Sequence, residues 1–213
     1  AKGAAALKFM NAGQACISPN RLYVPNVLRS AFEETLCSRV EKLQTGNGME
    51  DGIGVGPLIN EAAVAKVEHQ VEDARDKGAG VPVGGVRLTE GEHGNGHFFA
   101  PTVLTDVQST MSIYREETFG PVAPVIGYDD AEEVIDLAND TNYGLAAYVY
   151  TRDIAVAMRA FEGLRFGIIG INDVNPTSAS VPFGGMGDSG VGREGGHEGI
   201  SEYLETKTGG FAI

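Results

Sequence analysis

Short apolar runs of strand character alternate with amphipathic stretches along most of this chain. That alternation restricts the possible folds more than any other feature. Strand-like runs are read at Arg21 to Val24, Phe98 to Leu104, Val122 to Tyr128, Leu145 to Tyr150 and Gly167 to Ile171. Helical patterns lie between them. Leu28, Phe32, Leu36, Val40 and Leu43 recur at helical spacing over residues 26 to 44. Residues 60 to 77 read as a charged surface helix, and Asp130 to Asn139 and Ile154 to Leu164 read as two more. Strands separated by helices are joined by crossovers, which place neighbours parallel. The fold class is therefore α/β, with a largely parallel twisted sheet flanked by helices. Residues 45 to 57 form a glycine-rich loop. Residues 85 to 97 are expected to be an exposed loop or hairpin tip, with His93 and His97 solvated.

Composition removes several function classes. The chain has 213 residues, enough for one domain with a sizeable core. Its formal net charge is −13, and no stretch clusters lysine and arginine, so nucleic acid is not an expected partner. No apolar run approaches the roughly 20 residues of a membrane span, and no signal peptide is visible. The two cysteines do not suggest a disulfide framework, and a reducing, cytoplasmic setting is expected. No spacing of His, Cys, Asp and Glu resembles a metal site. The chain opens inside an apolar helix-like stretch, Ala4 to Phe9, with no capping residue ahead of it. It is expected to be part of a longer protein.

Cys16 is the candidate for nucleophilic chemistry. It follows the run Asn11-Ala12-Gly13-Gln14-Ala15 and precedes a strand-like segment. The reading is a tight turn opening into a short helix, whose free N–H groups favour a thiolate and can steady an oxyanion. A lone cysteine is more often a buried packing residue, and Cys37, beside the stripe of the 26–44 helix, is read that way.

Asn11-Ala12-Gly13-Gln14-Ala15-Cys16, Glu117-Thr118-Phe119-Gly120-Pro121-Val122 and Pro182-Phe183-Gly184-Gly185 resemble segments of the aldehyde dehydrogenase superfamily. Ser189-Gly190 and Gly192-Arg193-Glu194 extend the third segment. Order and spacing resemble the family's over essentially the whole chain, and Glu116 to Val125 with Ala138-Asn139-Asp140-Thr141 and Gly144-Leu145-Ala146 looks most like the succinate-semialdehyde dehydrogenase branch. The resemblance implies the catalytic domain of an NAD- or NADP-dependent aldehyde dehydrogenase. Cys16 is then the nucleophile and Glu194 a relay carboxylate. Glu117 takes the nicotinamide ribose hydroxyls, with Phe119 beside the nicotinamide. Ala15, Ile17, Ser178 and Phe183 contact the substrate, and no metal is involved. It also implies a nucleophile-bearing domain over 1–185 and, over 186–213, an active-site loop, a helix and a C-terminal oligomerisation strand. The full-length enzyme is then a homo-oligomer. The family's general base and most of its cofactor domain would precede Ala1, so these residues alone are expected to be inactive.

Some positions depart from the pattern. The branch tends to carry an arginine where Met10 stands, and the family often has lysine where Gly187 stands. Ser18 stands where some members carry a second cysteine. Gly185 to Gly190 satisfies G-x-G-x-x-G, but nothing strand-like precedes it, so it reads as an active-site loop and not a dinucleotide fingerprint. Succinate semialdehyde is the expected substrate. A different aliphatic or keto-acid semialdehyde is an alternative, as is a non-catalytic interaction domain.

Overall fold

An alanine-rich helix, α1 (Lys2–Lys8), opens the computed structural model, which describes residues 1 to 213. After a kinked turn the chain enters β1 (Leu22–Pro25) and then α2 (Asn26–Val40). Only the second half of the α2 stripe is fully buried: Leu36 and Val40 are in the core, whereas Leu28 is exposed. Two short strands, β2 (Gln44–Thr45) and β3 (Ile53–Val55), pair parallel at the edges of the expected glycine-rich loop. α3 (Glu61–Asp76) starts at Asn60, whose side-chain oxygen accepts from the Ala63 N–H at 2.9 Å. It is more than a surface helix, because Val64, Val67, Gln70, Val71 and Ala74 are buried along one face.

Next come β4 (Gly80–Val83) and β5 (Arg87–Leu88), the latter forming an antiparallel hairpin with β6 (Phe98–Phe99). The expected hairpin tip is present, but its histidines are not simply solvated. His93 Nε2 lies 2.8 Å from the Thr45 carbonyl, and its ring meets Phe98 edge-on. His97 Nδ1 lies 3.4 Å from a Glu61 carboxylate oxygen. The strand expected over Phe98 to Leu104 divides at Pro101, which has no N–H to give a ladder, and resumes as β7 (Thr102–Thr105). A short α4 (Ser112–Arg115), the strand β8 (Val122–Tyr128) and α5 (Ala131–Asn139) follow.

These elements make a sheet of order β1-β8-β7-β4. The β1–β8 and β8–β7 pairs are parallel and β4 is an antiparallel edge. Val122 to Ile126 are all buried, as a strand covered on both faces should be. Phe99, Val103, Leu104, Met111 and Ile113 join the core from one side of the sequence, and Leu36, Val40, Val64 and Val67 from the other. Arg21 holds the end of α5, donating to the Leu137 carbonyl at 3.1 Å and the Ala138 carbonyl at 2.8 Å, where helix carbonyls lack partners.

The chain divides into two units, Ala1–Ala138 and Asn139–Ile213. The second is built on a βαβ motif. β9 (Ala146–Val149) leads to α6 (Ile154–Gly163), capped by the Asp153 carboxylate, and returns as β10 (Ile168–Ile171), parallel to β9. A one-turn α7 (Glu198–Ser201) is its last element. The C-terminal strand expected of the tail is not formed. Residues 204 to 213 carry no secondary structure, and Leu204, Phe211 and Ile213 are exposed.

Candidate active site

In the first unit the site is built from two loops. The first runs from Asn11 to Ser18. Asn11, Ala12 and Gly13 have φ of 50°, 56° and 74°, three successive left-handed residues of which two are not glycine. Reciprocal side-chain bonds hold this turn. Asn11 Nδ2 donates to the Gln14 carbonyl at 2.9 Å, and Gln14 Nε2 donates to the Asn11 carbonyl at 3.2 Å. Gln14 also reaches out of the loop, donating to the Pro57 carbonyl and accepting from the Ile59 N–H at 2.9 Å. Cys16 sits on the next turn, closed by Ser18 N–H to the Ala15 carbonyl at 2.9 Å, and its thiol is exposed. No helix begins at Cys16, which corrects the expectation of a helix start there. The kink at Asn11 and Ala12 uses up the helical direction before the cysteine is reached.

The second loop carries Glu117 and Phe119, both exposed, on either side of buried Thr118. Phe119 has φ of 51°, another left-handed non-glycine residue. The two loops touch: a methyl group added at Gly13 would run into the Gly120 carbonyl. Only glycine allows both the positive φ and this approach. Beneath the loops lies Lys8, 1% exposed. Burial lowers its ammonium pKa to about 7, against the opposing pull of the Glu117 carboxylate. A cleft of about 750 Å³ between α1 and α2, with Lys2, Arg39 and Lys42 in its wall, contains none of the expected site residues.

Cys37 is the contrasting thiol. Half-buried on α2, it has its pKa raised by desolvation first and then by Glu41 and Glu33.

The remaining expected residues lie in the second unit. Phe183 and Glu194 face each other in an antiparallel bridge, with backbone bonds of 2.6 and 2.7 Å. Ser178 is exposed, its hydroxyl 2.9 Å from that of Ser180. Arg193 donates to the Gly185 and Gly192 carbonyls, both at 2.8 Å. The segment Gly185 to Gly190 contains only a one-turn helix, Gly187–Ser189, with no strand leading in, as expected of a loop. Gly187 has φ of 58°, and a side chain there would strike the Asn142 carbonyl. A lysine at this position therefore needs a different local backbone.

Sequence reasoning missed Lys8, Gln14, Asn20 and Gln70. The first three lie within or beside the Cys16 segment, but nothing in their spacing reveals partners about 40 to 100 positions away.

The aldehyde dehydrogenase family model matches residues 1–209. The chain belongs to the aldehyde dehydrogenase family. It is 48% identical over 206 residues to the NADP(+) succinate-semialdehyde dehydrogenase of Escherichia coli K12, a match covering 97% of this chain and 42% of that relative. It is 47% identical to the glutarate-semialdehyde dehydrogenase of Pseudomonas putida, again over 97% of this chain and 42% of the relative. Among solved structures, the succinate-semialdehyde dehydrogenase of Burkholderia pseudomallei is similar with a TM-score of 0.90 at 48% identity, over 95% of this chain and 41% of that one. The family fold expected from the sequence is thus present, and the chain spans about two fifths of the length of these relatives. No helix is long and apolar enough to cross a membrane.

Proposed function

We propose that this chain is the nucleophile-bearing part of an NAD(P)-dependent aldehyde dehydrogenase that oxidises a semialdehyde, with succinate semialdehyde favoured. The observation that carries the reading is the exposed Cys16 thiol on a loop packed directly against the Glu117–Phe119 loop. An aldehyde cannot readily lose hydride until a nucleophile makes its carbon tetrahedral. Cys16 as thiolate forms a carbon–sulfur bond, and the carbonyl oxygen becomes the oxyanion of a thiohemiacetal. A nicotinamide cofactor, when bound, supplies the two-electron acceptor. The resulting Cys16 thioester is hydrolysed by water, releasing the carboxylate and restoring the thiol.

The residues suit that cofactor. Glu117 presents an exposed carboxylate able to accept from two ribose hydroxyls, and Phe119 presents an exposed ring on the same loop. Glu194 is assigned to proton relay, and Ala15, Ile17, Ser178 and Phe183 to substrate contact. The division into a nucleophile-bearing domain over 1–185 and a loop, helix and oligomerising tail over 186–213 is part of the proposal. So are a homo-oligomeric enzyme and a reducing, cytoplasmic setting, the last supported by two free thiols. The activity is that of a polypeptide of the relatives' length, and residues 1 to 213 alone are expected to give no turnover.

Met10 favours a second reading. It is half-exposed and apolar where the branch tends to carry arginine, so nothing there pairs with a second carboxylate. A different aliphatic or keto-acid semialdehyde then becomes the substrate. Assay of the full-length enzyme with succinate semialdehyde, glutarate semialdehyde and uncharged aliphatic aldehydes, with NAD+ and NADP+, tests both. Highest kcat/KM for succinate semialdehyde is expected. Highest kcat/KM for any of the other aldehydes moves the assignment to the second reading, and no turnover with any of them defeats both.

A further inference from the structure

We infer that Asn20 is a positioning residue, whose side-chain amide holds the Glu117 carboxylate where it meets the nicotinamide ribose. The inference rests on the cofactor role proposed above for Glu117. Asn20 lies four residues after Cys16, between the nucleophile turn and β1. Its side chain crosses to the other loop and bonds on both sides of Glu117. Nδ2 donates to the Glu116 carbonyl at 2.9 Å and to the Ile113 carbonyl at 3.3 Å. Oδ1 accepts from the Thr118 N–H at 2.9 Å. One amide therefore fixes the peptide groups before and after the carboxylate-bearing residue.

The surroundings give this segment few other restraints. Glu117 itself is exposed, and the adjoining Phe119 has a left-handed backbone that does not persist without support. Thr118 is buried, but its hydroxyl has no hydrogen-bond partner. Gln70, fully buried on α3, reaches the Glu116 carboxylate only at 3.4 Å. Asparagine suits the task because it offers two donors and an acceptor in one plane. Aspartate keeps the acceptor for Thr118 but sets a carboxylate oxygen against two carbonyls. Alanine leaves all three groups without their partner. Because Asn20 and Cys16 share one segment, the same amide also ties the position of Glu117 to that of the nucleophile.

The test is a double-mutant cycle in the full-length enzyme, with Asn20→Ala and Glu117→Gln alone and combined. Binding of NAD+ and NADP+ is titrated by calorimetry without aldehyde. Asn20→Ala should weaken binding of the preferred cofactor roughly ten-fold, the effect of losing a well-placed pair of hydrogen bonds. In the Glu117→Gln background it should weaken binding less than about two-fold, because its route of action is already gone. A purely structural role for Asn20 would give the same factor in both backgrounds, and that result overturns the inference. So does wild-type affinity in Asn20→Ala. If Asn20→Ala yields no folded enzyme, Asn20→Asp takes its place in the cycle. A loss confined to the Glu117 background then supports the inference, and an equal loss in both backgrounds overturns it. Wild-type affinity in Glu117→Gln alone would instead overturn the cofactor role of Glu117, and the inference for Asn20 with it.

Discussion

The two thiols stand in different surroundings. Cys37 is half-buried beside Glu33 and Glu41, and its pKa is raised, which keeps it protonated and unreactive near neutral pH. Cys16 is exposed on a turn with no acidic neighbour in sequence. Limiting iodoacetamide near neutral pH, where few ordinary thiols are ionised, should label Cys16 first when read by peptide mass spectrometry. Preferential labelling of Cys37 would contradict the assignment. Lys8 gives a second residue-scale expectation. Its pKa in the folded protein is about 7, below the ordinary lysine value of 10.5. Between those values the unfolded chain binds the extra proton, so this group's contribution to stability rises with pH across that window. Below about pH 7 its burial penalty is complete. Lys8→Met should therefore stabilise by about 2–4 kcal/mol near pH ~6, and by less than about half as much near pH ~9. Urea unfolding at the two pH values checks this, and a larger gain at the higher pH would refute it.

At the scale of elements, the contact between the two site loops depends on Gly13. Gly13→Ala adds a methyl at a φ of 74°, directed at the Gly120 carbonyl. The left-handed backbone and the overpacking together should destabilise by about 2–5 kcal/mol. A melting temperature within a degree or so of wild type (about what 0.3 kcal/mol gives) would mean that the loops do not meet this way. The helix and strand pattern is legible because period and burial agree. Val122 to Tyr128 reads as a strand and is one, and the 26–44 and 60–77 patterns correspond to α2 and α3. Two kinds of feature escape such a reading. The turn before Cys16 reads as a helix start, but paired side-chain amides stabilise a left-handed kink there instead. His93 reads as solvated because its neighbours are polar, but its partner is Thr45, in a segment that local sequence does not identify. The two loops that meet at Gly13 and Gly120 are legible as motifs. The amides of Gln14 and Asn20 that fasten loops together are not, because their partners are distant in sequence.

At the scale of the whole molecule, the tail is the element with the least support of its own. Tyr203, Leu204, Phe211 and Ile213 are all more than two-thirds exposed, and in the proposed homo-oligomer a second subunit covers this apolar set. Removing residues 203 to 213 from the full-length enzyme should shift its sedimentation to a smaller species. An unchanged assembly would show that the tail does not hold subunits together. The proposed chemistry depends on one atom, the Cys16 sulfur, and one measurement tests it directly. NADPH or NADH formation from succinate semialdehyde is followed in the full-length enzyme carrying Cys16→Ala, with Cys37→Ala as the paired control. Turnover should fall below detection in the first, because no thiohemiacetal forms, and stay within about three-fold of wild type in the second, as for a thiol outside the site. Turnover that persists in Cys16→Ala would contradict the account.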